Sequence, residues 1–158
     1  MTVFGLQTGQ LGLFAFAVLL LALTPGPVWI YLISRTLTQG RRAGYFSLIG
    51  VTAGVLVHLL AAAIGLSALL LAVPAAFDAI KLAGAGYLLW LAWNTLRGAG
   101  FSFTPQPLDP VPDRVLLRQS LTASVINPKV AVFYLSLFPQ FVDPASGSVL
   151  LQSLALGV

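Results

Sequence analysis

Long stretches without a charged residue constrain this chain more than any other feature of its sequence. A helix that crosses the ~30 Å hydrocarbon core of a bilayer needs about 20 predominantly apolar residues. Only 8% of the residues are charged, whereas a soluble domain carries about 25%. A transmembrane β-barrel would show short segments of strict alternation, and the sequence has none. The sequence therefore predicts an all-α integral membrane protein.

The uncharged stretches predict four complete transmembrane helices and the start of a fifth. The complete spans cover about residues 11–33, 45–72, 77–96 and 119–142, and the partial one covers 148–158. Proline and glycine are frequent between spans three and four, which indicates an irregular loop. Gly50 and Gly54 in span two form a small-xxx-small pattern, which predicts close helix packing. We expect the whole chain, residues 1–158, to form a single domain.

The net charge of +4 is carried mainly by short loops. In a soluble protein this balance could indicate nucleic-acid binding, but in a membrane protein basic loops set the orientation, and we expect no nucleic-acid partner. Lys81 is the only base in the loops after spans two and four. The loops after spans one and three hold Arg35, Arg41, Arg42, Arg97, Arg114 and Arg118. This asymmetry predicts that the arginine-rich loops are cytoplasmic and that the N-terminus lies outside.

Span one is interrupted by the segment Thr24-Pro25-Gly26-Pro27. Pro25 and Pro27 have no N–H, so two carbonyls of the preceding turn lose their helical donors. Residues before a proline also avoid the helical conformation. An unpaired backbone group costs several kcal/mol in lipid, so the break is expected where protein or a wet cavity satisfies it.

Span four is interrupted in a similar way at Asn127-Pro128. In each span an N-cap residue, Thr24 or Asn127, precedes a proline at the first helical position, so we predict that Pro25 and Pro128 each begin a half-helix. At ~1.5 Å per residue, both breaks lie about 12–14 Å from the cytoplasmic edge, near the midplane. The spans run in opposite directions, so the two half-helix N-termini are expected to meet at one level.

Two helix N-termini beside Lys129 would form an anion site inside the membrane, and a carboxylate is the natural occupant. Paired broken helices in inverted halves are typical of secondary transporters. The alternative interpretation is that both prolines only kink packed helices. Lys129 would then bond freed carbonyls, such as that of Ser124, or snorkel into a cavity.

The remaining ionisable residues have two interpretations each. His58 lies near the middle of span two, where a histidine would suit proton coupling, or it bonds a backbone carbonyl. Asp78 and Lys81 have the i, i+3 spacing of an ion pair, and interfacial anchoring is the simpler role. Arg35 is an orientation signal or a gating residue.

The residues that carry these features resemble those of the lysine exporter (LysE) type translocators, including the threonine and homoserine exporters of the RhtB branch. The matching segments are TPGP at 24–27, Arg35 with the following RRAG, the histidine of span two, IKLAGAGYLLWLAW at 80–93 and NPKVAVFYLSLFPQF at 127–141. The resemblance implies a bacterial inner-membrane exporter of neutral or basic amino acids, driven by a proton or ion gradient. It also implies six spans in two inverted groups of three.

Relative to that pattern, the chain stops within the fifth span. This leaves open a fragment of a longer protein, an inactive truncated product or a non-transporting scaffold subunit. An enzyme is not expected, because the only histidine and the four acidic residues are scattered along the chain and form no catalytic or metal-ligand cluster. The expected partners are an amino-acid substrate and the bilayer, with no cofactor; a homo-oligomer is left open.

The predicted orientation has a direct test. Topology reporters fused at Gly40 and at Ser146 are expected to appear on opposite sides of the membrane, with Gly40 in the cytoplasm, because the arginine bias dominates orientation. Reporter activity at both positions on the same side would contradict the prediction.

Overall fold

The computed structural model describes residues 2–3, 6–72, 74–97, 107–142 and 147–157. Side chains are described at residue 9 and over 11–65, 79–80, 82–94, 97, 107–142 and 147–157.

The described chain is almost entirely helical, as the sequence predicts. A short antiparallel ladder, β1 (Thr2–Val3) and β2 (Leu6–Gln7), precedes the helices. The helices are α1 (Thr8–Leu23), α2 (Pro27–Gln39), α3 (Arg41–Ala72), α4 (Pro74–Leu96), α5 (Asp113–Val125), α6 (Pro128–Val132) and α7 (Val149–Gly157). A π-helical turn (Phe133–Leu137) and a 3₁₀ turn (Phe138–Phe141) continue α6.

Membrane-spanning length is reached in three places within the described residues. Arg41–Gly65 of α3 is one long apolar stretch. The other two are bent pairs that qualify if each pair counts as one span: Leu11–Leu23 with Pro27–Gln39, bent by 58°, and Asp113–Val125 with Pro128–Phe141, bent by 48°. The third predicted span coincides with α4, part of whose side chains lie outside the described residues. The number of spans and the inverted repeat stay predictions.

Helix α3 forms the centre of the packing and contacts α2, α5 and α7. Gly50 and Gly54 face α5, where a Cβ on Gly50 would collide with Ser120 and one on Gly54 with Ser124. The hydroxyl of Ser124 donates to the carbonyl of Val51 at 3.0 Å. The predicted helix-packing role of the two glycines is confirmed, since small residues let helix backbones approach closely.

An aromatic cluster holds α1 against the second half of the broken span four. The ring of Phe14 lies 5.2 Å from that of Phe141 and 5.9 Å from that of Phe138, both edge-on. Phe133 and Phe138 are completely or almost completely buried. Edge-to-face aromatic pairs contribute roughly 0.5–1.5 kcal/mol beyond the area they bury, so this cluster fixes where α1 ends relative to α6.

The outward surfaces of the helices are apolar. Leu82 and Leu89 on α4 are each 72% exposed, and Ile64 on α3 is 68% exposed. A soluble monomer rarely exposes contiguous apolar patches of this kind. The surface therefore agrees with a protein whose helices face lipid.

A pair of glycine substitutions on α3 separates helix packing from helix propensity. We expect Gly50→Ala to lower the thermal stability of the detergent-solubilised protein, because the new Cβ would lie 2.5 Å from the carbonyl oxygen of Leu117. Gly65→Ala is the matched control, since a Cβ at Gly65 meets nothing within 4 Å. In an open helical site, glycine to alanine stabilises by roughly 1 kcal/mol. Equal melting temperatures for the two variants would contradict the packing.

Candidate functional site

The first break separates α1 from α2 at residues 24–26. Helix α2 begins at Pro27, with Gly26 as its N-cap in an extended conformation and no side-chain cap. The prediction that Thr24 caps a half-helix starting at Pro25 is therefore wrong. The hydroxyl of Thr24 instead donates to the carbonyl of Leu20 at 2.6 Å. Gly26 precedes a second proline, which disfavours the helical conformation there, so the helix begins one proline later.

The second break, at residues 126–127, follows the predicted design. Asn127 is the N-cap of α6, and its side-chain oxygen accepts a hydrogen bond from the backbone N–H of Lys129 at 3.1 Å. Pro128 occupies the first helical position, where its missing N–H costs nothing. Asn127 is buried, so this cap lies inside the protein.

Lys129 joins the two breaks. Its ammonium donates to the carbonyls of Leu21 at 2.9 Å and Thr24 at 2.7 Å, both at the end of α1. The Leu21 carbonyl is one that Pro25 deprives of its helical donor. The side chain is 8% exposed, and a Cβ on Gly26 would lie 3.6 Å from Nζ. Lys129 does bond freed carbonyls, but those of span one rather than that of Ser124.

The carbonyl of Ser124 is the one that Pro128 deprives of its helical donor. The backbone N–H of Asn127 donates to it at 3.1 Å, and Nε2 of His58 lies 3.3 Å away. The His58 ring is also stacked on Tyr134, with centroids 6.1 Å apart. His58 thus contacts the second break directly, and the interpretation of a carbonyl-bonded histidine matches its geometry.

A cavity of about 800 Å³ lies between α1, α4 and the segment from Lys129 to Phe141. Thr24 and Lys129 line it beside the breaks, and Gln140 lines it further along the same segment as Lys129. The rest of the wall is apolar and includes Leu13, Phe16, Leu20, Leu88, Leu91 and Phe133. His58 does not line this cavity. The site is therefore one cation and a hydroxyl residue at the edge of an apolar chamber.

A second polar cluster lies toward the other end of α2, and we call it the Arg35 cluster. Arg35 is 5% exposed. Its guanidinium donates to the carbonyl of Asp109 at 2.7 Å and to the side-chain oxygen of Gln119 at 2.9 Å. The hydroxyl of Tyr31 approaches the same Gln119 oxygen at 3.4 Å. Arg35 is thus more than an exposed orientation signal, because it ties α2 to α5 and to the loop before it.

Two further contacts fasten the same loop. Gln39 exchanges hydrogen bonds with the backbone of Val111, its amide donating at 2.5 Å and its oxygen accepting at 3.1 Å. Arg42 pairs at 2.7 Å with Asp113, the first residue of α5 after the loop. The ion pair is exposed and contributes little by itself.

The Nε of Arg35 is buried and, among the described residues, has no hydrogen-bond partner.

One predicted pair of site residues stays untested. The side chains of Asp78 and Lys81 lie outside the described residues, so their ion pair and anchoring stay predictions. In the part of the chain that the structure describes, no group of three His, Cys, Asp or Glu residues could hold a metal ion.

Sequence reasoning missed Trp29 and Gln119. The indole N–H of Trp29 donates to the carbonyl of Ala22 at 2.7 Å across the first break. The available signal for Trp29 was a side-chain hydrogen-bond donor placed just after two prolines, close to carbonyls that have lost their helical donors. The sequence predicts Gln119 only as the start of span four, whereas α5 already begins at Asp113. Pro112 and the acidic Asp113 in the first turn were the signals for that earlier start.

The chain matches the LysE type translocator family model over residues 19–158. It is 33% identical to an uncharacterised membrane protein of Pseudomonas aeruginosa, covering 92% of this chain and 69% of that protein. It is 34% identical to a leucine efflux protein of Klebsiella pneumoniae, covering 77% of this chain and 58% of the relative. It is also 34% identical to a homoserine/homoserine lactone efflux protein of Salmonella typhimurium, covering 88% of this chain and 67% of the relative.

These matches span only about 58–69% of the relatives' own lengths. No solved structure matches the chain significantly. The family comprises transporters rather than enzymes, and the apolar helices and the named relatives support a membrane setting and amino-acid export. On the family match and these identities, the chain belongs to the LysE type translocators.

Proposed function

We propose that this chain is a secondary transporter that exports amino acids, neutral or basic, across the bacterial inner membrane, coupled to an ion gradient. The contact that carries the proposal is the one between the two breaks: the ammonium of Lys129 on the carbonyls of Leu21 and Thr24. A buried cation beside interrupted helices is costly in a membrane. Binding an anionic group of a solute is a use that repays that cost.

In the proposed mechanism the substrate carboxylate binds to Lys129. An ammonium has three N–H donors, and two of them are taken by the carbonyls of α1. The third N–H can donate to a substrate carboxylate in the cavity, beside the carbonyls of Leu21 and Thr24. Gly26, the N-cap of α2, lies beside the ammonium of Lys129, so the partial positive charge of that helix N-terminus adds to the charge of Lys129. Asn127 and Pro128 hold Lys129 at this position by starting α6 there.

The Arg35 cluster is proposed as the inner gate. With the predicted orientation, the cavity lies on the outer side of the two breaks and the Arg35 cluster lies on the cytoplasmic side. Arg35 joins α2 to Gln119 of α5, so a path from the cytoplasm to Lys129 would require these hydrogen bonds to break. An exchange between this closed inner side and a closed outer side would give alternating access.

His58 is proposed to couple transport to protons. A neutral ring with its proton on Nε2 donates to Ser124, and a neutral ring with its proton on the other nitrogen cannot. A protonated ring always donates from Nε2. Protonation of His58 would therefore stabilise its hydrogen bond to the carbonyl of Ser124, three residues before the N-cap Asn127 of α6. Energy from a proton gradient could reach the two breaks by this route.

Substitution of Lys129 tests the proposed binding site. We expect Lys129→Gln to lower the initial rate of amino-acid efflux from loaded proteoliposomes by about 10- to 100-fold, because a hydrogen bond to a charged group contributes about 1.5–3 kcal/mol. Arg118→Gln, which removes an exposed positive charge from the same broken span, is the matched control and is expected to retain its rate. Each variant is first checked for folding by circular dichroism and gel filtration.

Two outcomes would contradict the proposal. Equal efflux by Lys129→Gln and the unsubstituted protein would remove Lys129 from the mechanism. No efflux of any amino acid from proteoliposomes that contain the folded, unsubstituted protein would favour the non-transporting scaffold.

Two substitutions of Gln119 test the inner gate in opposite directions. Gln119→Glu adds a charge opposite the guanidinium of Arg35 and is expected to raise the melting temperature while it slows efflux several-fold, since the acceptor then becomes a carboxylate, with which a guanidinium forms a stronger, ionic hydrogen bond. Gln119→Leu removes the acceptor and is expected to lower the melting temperature. A cytoplasmic-side label on a single cysteine at position 24 should then react faster in the Gln119→Leu variant and more slowly in Gln119→Glu.

The chain contains no native cysteine, so the single-cysteine measurement needs no background substitutions. Identical labelling rates in both Gln119 variants would contradict a gating role for the Arg35 cluster. Arg35 would then be a structural tie between α2 and α5.

A further inference from the structure

The cavity beside Lys129 differs from a general amino-acid site in the chemistry of its wall. Apart from Thr24, Lys129 and Gln140, the residues that line it are Leu, Phe and Ala. Leu20 comes from α1, Leu88 and Leu91 from α4, and Phe133 from the π-helical turn. No acidic side chain is among the described lining residues. A substrate side chain in this chamber would therefore meet apolar surface from three helices.

The position of the polar groups limits which part of a substrate they can serve. Lys129 and Thr24 lie together, since the Lys129 ammonium is 2.7 Å from the Thr24 carbonyl. Gln140 lies eleven positions further along the same segment, in the 3₁₀ turn beyond the π-helical turn. Its amide N–H donates to the carbonyl of Ser136 at 3.0 Å. Gln140 is thus separated from Lys129 along the segment, and its amide already has a backbone partner.

These two observations define the occupant. The carboxylate is complemented by the one cation of the described wall, and the side chain is left with an apolar chamber. A cationic side chain would lose its hydration with no acid to pair with, which is costly. A hydroxyl side chain would lose hydrogen bonds to water and meet a wall whose described residues are apolar apart from Thr24, Lys129 and Gln140, a smaller but real penalty.

We propose that the cavity is a side-chain pocket specific for neutral amino acids with large apolar side chains, with Leu20, Leu88 and Phe133 as the residues that determine this specificity. The proposal rests on the proposed export function and adds the substrate class. Large apolar side chains gain free energy from each buried CH₂. Discrimination against an added hydroxyl in an apolar pocket is limited to about 100-fold. The pocket is thus expected to favour leucine or phenylalanine over homoserine or threonine by up to about 100-fold in kcat/KM.

A comparison of efflux rates for different amino acids tests the proposal on the unsubstituted protein. Proteoliposomes are loaded with labelled leucine, phenylalanine, threonine, homoserine or lysine, and kcat/KM for efflux is measured for each. We expect leucine and phenylalanine to exceed threonine and homoserine by about 10- to 100-fold, and lysine to be lowest. Homoserine or lysine exported as well as leucine would overturn the proposal while leaving the export function intact. Efflux of none of the five would overturn both.

A matched pair of substitutions on α4 locates the specificity. Leu88→Asn puts a hydrogen-bonding side chain into the wall, and we expect it to lower the leucine-to-homoserine ratio of kcat/KM at least about 5-fold. Leu89→Asn is the control, since Leu89 is the next residue on the helix, is 72% exposed and does not line the cavity. A ratio that is unchanged in Leu88→Asn, or that falls equally in both variants, would show that this wall does not set the specificity. If either variant fails to fold, the ranking of substrates by the unsubstituted protein still decides.

Discussion

The fold depends on how the backbone carbonyls left without helical donors at the breaks are satisfied in an apolar setting. A carbonyl without a donor is costly in lipid, and the chain meets this cost with side chains from elsewhere. Lys129 takes the carbonyls of Leu21 and Thr24, and Trp29 takes that of Ala22. Because Lys129 belongs to the other broken span, satisfying the first break also attaches the two spans to each other. The contact that satisfies the free carbonyls of the first break therefore also places the Lys129 ammonium at the candidate site.

On either side of this contact the molecule has different chemistry. The side that includes α1 holds an apolar cavity whose wall ends at the ammonium of Lys129. The other side holds the Arg35 cluster, in which a buried guanidinium is hydrogen-bonded to α5 and to the preceding loop. In the proposed mechanism the apolar chamber receives a solute with an apolar body, and the hydrogen-bonded cluster closes the cytoplasmic side until its bonds break.

Several parts of this arrangement could be predicted from residue order alone. The uncharged stretches predicted the helical membrane class, and Gly50 with Gly54 predicted a close helix contact that α5 provides. The second break followed the rule for an N-cap residue before proline. The first break did not, because Thr24 bonded back to Leu20 and a second proline at position 27 delayed the helix. Two prolines in succession offer two helix starts, and local propensity does not choose between them.

Residue order alone places helix interruptions at TPGP and NPK, since proline removes an N–H wherever it stands. It also places the only lysine of span four directly after such a break. Residue order does not say which carbonyls that lysine binds, that His58 contacts the second break instead of the cavity, or that Arg35 is buried against Gln119; these follow from the packing. These are contacts between residues far apart in the chain, and the packing of α3 with α2 and α5 sets their distances. Helical periodicity describes one helix at a time and carries no information about such distances.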